Sequence, residues 1–131
     1  MIVLLLEDDE KVAAGLRRIA QIANIPMHHV RRVAEMETLM RTTPVDVLVA
    51  DAGLPDGDSG VDALAWARLE YPLVRRMLVS VTYHESVPTS PWERFLPKPF
   101  DGTTFINALR ELANSSLVIG GRVMRRQGEH R

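Results

Sequence analysis

Short apolar runs of strand length alternate with stretches of helical period along nearly the whole chain, and that alternation leaves few architectures open. Residues 2–6 are continuously apolar, the pattern of a strand buried on both faces. Val12, Leu16, Ile19, Ala20 and Ala23 then recur at helical spacing with Arg17, Arg18 and Gln21 opposite them, and Asn24 and Pro26 mark the stop. Residues 27–33 read as a second strand, polar through His28, His29, Arg31 and Arg32 as an edge strand is. Met36, Leu39 and Met40 place a short helix over residues 35–41, before Pro44. Residues 45–50 form the clearest central strand, followed by the turn-rich residues 53–60. Val61, Leu64, Ala65, Leu69 and Trp66 line a third helix that stops at Tyr71-Pro72. Residues 77–81 are a fourth strand and residues 94–96 a short fifth. Asp101 then resembles an N-cap for a helix burying Phe105, Ile106, Leu109 and Leu112. The predicted class is α/β, with right-handed crossovers and a parallel sheet sandwiched between helices.

A length of 131 residues with 46% hydrophobic suits one ordinary core. We divide the chain into a domain over residues 1–115 and a tail over 116–131. Apolar runs around Gly120-Gly121 give the tail a hairpin signal; an arm that packs on a partner, the start of a removed output domain and a loose end are the other readings. The net charge of -1 offers no general reason to bind nucleic acid or an anionic membrane, although Arg122, Arg125, Arg126 and Arg131 make the tail locally basic. The absence of cysteine excludes disulfides, thiolate catalysis and cysteine metal sites. The apolar start is closed at once by Glu7-Asp8-Asp9-Glu10, unlike a secretory signal, and no run approaches a membrane span. A cytoplasmic location is the expectation.

The chemistry gathers where strands should end. Open parallel sheets bind ligands at the carboxyl ends of their strands, so distant segments can deliver side chains to one crevice. Glu7 and Asp8 follow the first strand and Asp51 follows the third; together they offer the oxygen ligands that magnesium prefers. Asp51 is the candidate nucleophile, because a carboxylate can attack phosphorus to form an acyl phosphate while a cation and a lysine neutralise the transferring oxygens. Lys98 suits that task, and Ser80 offers a hydroxyl to a phosphoryl oxygen, with Thr82 a competitor two residues on. Taken singly, each acid is as readily a cap and each lysine a solvated surface charge. His28 and His29, adjacent on a strand, point to opposite faces, which argues against shared metal ligation. No glycine-rich loop leads into Lys and Ser or Thr, so a nucleotide triphosphate lacks its cradle.

The ordered set Leu5-Leu6-Glu7-Asp8-Asp9-Glu10, Val47-Leu48-Val49-Ala50-Asp51-Ala52-Gly53-Leu54-Pro55, Leu78-Val79-Ser80-Val81 and Phe95-Leu96-Pro97-Lys98-Pro99-Phe100 resembles the receiver domain of two-component response regulators. The resemblance covers residues 1–115. It implies a flavodoxin-like, doubly wound five-stranded domain with strand order 2-1-3-4-5, which takes a phosphoryl group from a histidine kinase or phosphotransfer protein onto Asp51. It further implies magnesium held by Glu7, Asp8, Asp51 and the backbone carbonyl of Gly53, a phosphoryl group held by Ser80 and Lys98, and Phe95 as the aromatic that follows the switch. The Lys98 to Pro99 peptide would be cis. Such a chain is a signalling switch rather than a metabolic enzyme, and it acts on an output protein or an attached output domain.

Three departures from the family pattern stand out. Val81 replaces the usual small residue after the hydroxyl, which narrows access to Asp51. The loop over residues 56–60 is one residue longer. The span from Ser80 to Lys98 is shorter by about one helical turn of ~3.6 residues, and it carries Pro88 and Pro91, so the fourth helix is expected to be short or irregular. Many receivers form homodimers or dock outputs through that helix, so the usual dimer geometry is in question. Two alternatives remain: a receiver-like interaction module not regulated by phosphorylation, and a small phosphatase of the haloacid dehalogenase type. The second requires another Asp two residues after the nucleophile, where this chain has Ala52-Gly53.

Overall fold

Alternate residues of the inner strands bury against opposite faces of one sheet. The computed structural model describes residues 1–82 and 92–115, together with the backbone of two strands at 117–119 and 122–124. In chain order the elements are β1 (Val3–Leu6), α1 (Glu10–Ile22), β2 (Met27–Val30), α2 (Val33–Thr42), β3 (Val47–Asp51), α3 (Gly60–Glu70), β4 (Arg75–Ser80), β5 (Glu93–Pro97) and α4 (Gly102–Ala113). The five strands form one parallel sheet in the order β2-β1-β3-β4-β5, with Leu6 opposite both Val30 and Ala50 and Asp51 opposite Val79. β6 (Leu117–Ile119) and β7 (Arg122–Met124) pair antiparallel, Leu117 against Met124. The short or irregular fourth helix expected from the sequence falls on residues 83–91, outside the described residues.

Val3, Leu5, Val47, Val49, Met77 and Val79 point to one face, where Ala13 and Leu16 of α1 and Phe105, Leu109 and Leu112 of α4 cover them. Leu4, Leu6, Leu48, Ala50 and Leu78 point to the other, under Met36 and Met40 of α2 and Ala63, Leu64 and Ala67 of α3. A strand covered on both sides has no reason to alternate polar with apolar, which is why these segments read as unbroken apolar runs. Asp9 caps α1 by accepting from the Lys11 and Val12 amides at 2.9 and 3.2 Å, and Asp101 caps α4 by accepting from Thr104 at 2.8 Å.

Two expectations need correction. Leu69, assigned to the buried face of the third helix, is 82% exposed. That helix buries Gly60, Ala63, Leu64 and Ala67, and at about 100° per residue Leu69 falls on the far side. The fourth strand starts two residues earlier than expected, taking in Arg75 and Arg76, both buried. Arginines can occupy a core strand here because their charge is met locally. Glu93 of β5 accepts from Arg68 of α3 at 2.7 and 2.6 Å, a two-pronged pair, and from Arg76 at 3.2 Å, while Arg76 also donates to the carbonyl of Val74 at 2.5 Å. Arg75 lies over the Trp92 ring, 3.9 Å from its centroid, and donates to the carbonyl of Ser115 at the end of α4.

Burial raises the Glu93 carboxyl, but the hydrogen bonds and charges of Arg68 and Arg76 outweigh it and hold the group below the ordinary glutamate value. Because the folded value is depressed, this carboxylate stabilises the fold above the unfolded pKa and loses that contribution as pH falls through the folded one. Glu93→Gln leaves Arg76 buried beside a neutral partner and should cost about 3 kcal/mol at pH 7. In urea titrations the gap between variant and parent should begin to narrow as the pH falls below the ordinary glutamate value of about 4 and go on closing in more acid solution; a gap that does not change with pH in this range would refute this assignment.

Candidate functional site

The parallel register carries four strand ends to the same rim. The Glu7 amide donates to the carbonyl of Val30 at 3.0 Å, extending the β1–β2 ladder by one residue. Asp51 and Ser80 are the last residues of β3 and β4. The Lys98 amide donates to the carbonyl of Ser80 at 2.8 Å just beyond β5, and the Lys98-Pro99 peptide is cis, as the resemblance implied. Strand pairing alone therefore brings together residues as far apart in sequence as Glu7 and Lys98, with no loop required to fold back.

The Lys98 Nζ lies 3.5 Å from Glu7 Oε1 and 3.5 Å from Asp51 Oδ2. One carboxylate oxygen from each of Glu7, Asp8 and Asp51 lies within 4.8 Å of the other two. Asp9 stands apart, since its carboxylate is engaged in capping α1, while its amide donates to Glu7 Oε2 at 3.2 Å. Asp51 Oδ1 accepts from the Gly53 amide at 3.1 Å. Glu7 is only 2% exposed. Its burial, a hydrogen bond with Asp51 and the nearby negative charge together push its carboxyl up to about 7, against the opposing pull of the Asp9 amide and Lys98. Three carboxylates facing one ammonium form an all-oxygen donor set with surplus negative charge, and such a set fits a hard divalent cation.

A cleft of about 430 Å³ opens beside this cluster, lined by Asp51, Ala52, Gly53, Ser80, Val81, Thr82 and Lys98. Ser80 is buried, and its Oγ accepts from the Thr82 amide at 3.0 Å; Thr82 itself is exposed. Val81 is 79% exposed and stands in the lining of the cleft. Phe95 is half-buried against the core face shared by α2 and α3. A Cβ at Gly53 would make only ordinary contact with Asp51 Oδ1, at 3.9 Å, so packing does not demand glycine there and a carbonyl ligand at 53 would be indifferent to the side chain.

Gly60 is different, and the sequence reading passed over it. A Cβ there would overlap the backbone carbonyl of Asp51, so glycine lets the first turn of α3 close against the end of β3. The signal in the sequence was Ser59-Gly60 at the start of a helical period, where Ser59 caps α3 through the Asp62 amide at 3.2 Å.

No family model matches the chain. It is 30% identical over 103 residues to the swarming motility regulation protein RssB of Serratia marcescens, an alignment covering 76% of this chain and 47% of that protein, so the chain spans about half the length of this curated relative. The signal receiver domain of an HD domain-containing protein from Pseudomonas fluorescens Pf-5 matches with a TM-score of 0.76 at 23% identity, covering 85% of this chain and 92% of that one. The response regulator TrrA of Thermotoga maritima, solved in complex with Mg2+-BeF, matches with a TM-score of 0.75 at 17% identity, covering 85% and 97%. TrrA in complex with the histidine kinase ThkA matches at 0.73 and 17%, with the same coverage. The chain has the fold of response regulator receiver domains, the fold its ordered motifs pointed to.

Gly60→Ala should cost about 1–3 kcal/mol, the usual penalty of forcing extra volume into a tight contact. Its damage should centre on Asp51. Amide spectra of the variant should shift most at residues 51–53 and 60–62; shifts confined to α3 would mean that the helix alone absorbs the strain.

Proposed function

We propose that this chain is a phosphorylatable receiver that accepts a phosphoryl group on Asp51 from a histidine kinase or phosphotransfer protein. The observation that carries this reading is the placement of one ammonium, Lys98, at 3.5 Å from both Glu7 and Asp51 within the three-carboxylate cluster. In the transfer, an Asp51 carboxylate oxygen attacks phosphorus, the phosphorus–nitrogen bond of the donor's phosphohistidine breaks, and the electron pair leaves with the imidazole, which takes up a proton. The product is an acyl phosphate on Asp51. Magnesium, held by Glu7, Asp8, Asp51 and the Gly53 carbonyl, would supply charge neutralisation at the phosphoryl oxygens. Lys98 adds a positive charge on the same side, and Ser80 lies in the cleft lining where its hydroxyl can donate to a phosphoryl oxygen.

Phosphorylation then acts as a population shift: pulling Ser80 and Lys98 toward the new charge changes the face around Phe95, which an output protein or output domain reads. The chemistry is confined to the chain's own phosphorylation and dephosphorylation, so the protein is a switch and not a metabolic enzyme. Residues 1–115 form the switching unit, with 116–131 appended. Among the described residues no helix is long and apolar enough to cross a membrane. A cytoplasmic site of action follows from the proposed donor. The TrrA complexes with Mg2+-BeF and with ThkA support the same reading by likeness of fold.

Acetyl phosphate with magnesium should add one phosphoryl group, seen by intact mass, to the parent chain and none to Asp51→Asn; equal labelling of both would overturn the assignment. Val81→Ala, which widens the mouth of the cleft, should speed both labelling and spontaneous loss of the label by several-fold. Unchanged first-order decay in Val81→Ala would show that this side chain does not gate the site.

A further inference from the structure

We propose that His29 is a positioning residue for the acidic cluster: its ring fixes the Glu7–Asp8 peptide and thereby the direction in which Asp8 leaves β1. The inference rests on the magnesium reading of that cluster. β2 follows β1 in register, with Leu5 opposite His29 and Leu6 opposite Val30, and the ladder continues as far as the Glu7 amide on the carbonyl of Val30. One residue further, β2 turns away. The Arg32 amide, next in line to meet the Glu7 carbonyl, donates instead to Glu35 Oε1 at 3.0 Å beside the Arg31 amide at 3.1 Å, and these bonds close the start of α2. The carbonyl of Glu7 is thus deprived of the strand partner that a longer β2 would supply.

The His29 side chain fills that place, with Nε2 at 2.7 Å from the Glu7 carbonyl oxygen. A carbonyl oxygen only accepts, so the contact puts a proton on Nε2. Both ends of Glu7's backbone are then tied to β2, the amide by Val30 and the carbonyl by His29. The carbonyl belongs to the peptide plane that carries the Asp8 amide, so its orientation sets where the Asp8 carboxylate can reach. Loss of an outer contact that orients a metal site typically costs about 10–100-fold in metal affinity. His28, the neighbour, is exposed and serves as the control.

The test is magnesium titration of the full chain followed by amide spectra, comparing the parent with His29→Ala, His29→Gln and His28→Ala. His29→Ala should weaken magnesium binding by about tenfold and should displace the Asp8 amide resonance even before magnesium is added. His29→Gln, whose amide nitrogen can take the position of Nε2, should restore most of the affinity, and His28→Ala should match the parent. Parental affinity in His29→Ala, or a His29→Gln variant as weak as alanine, overturns the inference while leaving the phosphorylation reading intact. A parent that binds no magnesium overturns both.

Discussion

Because β1, β3 and β4 are covered on both faces, the polar groups they carry have only the two rims of the sheet in which to meet partners or water. Each rim holds buried charge, and the two are balanced differently. At the amino end, Glu93 sits between Arg68 and Arg76 with three hydrogen bonds, so positive charge there is met from within the chain. At the carboxyl end, Glu7, Asp8 and Asp51 face the single ammonium of Lys98. The first cluster sets two guanidiniums on one carboxylate, whereas the second, among the described residues, sets three carboxylates around one ammonium.

The two buried glutamates show the consequence. Glu93 and Glu7 are both removed from water, and burial alone would raise either carboxyl. Glu93 nevertheless ends below its ordinary value because two guanidinium groups reach it, while Glu7 is pushed up to about 7 beside another carboxylate. The same fold thus ties down its buried glutamate at one rim and leaves the other poised with surplus carboxylate, a donor set that fits a hard divalent cation. Tight packing preserves that poise: Gly60 lets α3 sit against the Asp51 carbonyl, and Asp9 is drawn off into a helix cap, leaving Glu7 and Asp8 as the acids after β1 that face Asp51.

Much of this was legible before the structure. The unbroken apolar runs located the inner strands, the helical periods located α1, α2 and α4, and the order of motifs named Glu7, Asp8, Asp51, Ser80 and Lys98 together. The failures have physical reasons. Leu69 was placed inside because it is apolar and near the end of a helical period, but α3 buries a narrow face of small residues and one bulky side chain suffices to fill it. Arg75 and Arg76 were left out of the fourth strand because charge rarely enters a core strand, and the residues that make it tolerable, Trp92, Glu93 and Ser115, lie seventeen to forty positions away. His29 was read as an edge-strand residue and set aside as a metal ligand, and its contact with Glu7 depends on where β2 ends.

The sequence by itself determined the class of fold, the strand-end placement of the acids, the hydroxyl and the lysine, and the cap at Asp101. These are local properties, set by side-chain period, turn chemistry and the chain's own neighbours. Only the tertiary structure decided which acids face one another, which is spent on a cap, which glutamate is driven toward neutrality, and which histidine holds the Glu7 carbonyl. Those outcomes depend on distances of a few ångströms between strands, and the energy of a charge or a buried carbonyl depends on what stands at that range and on how much water is left between them.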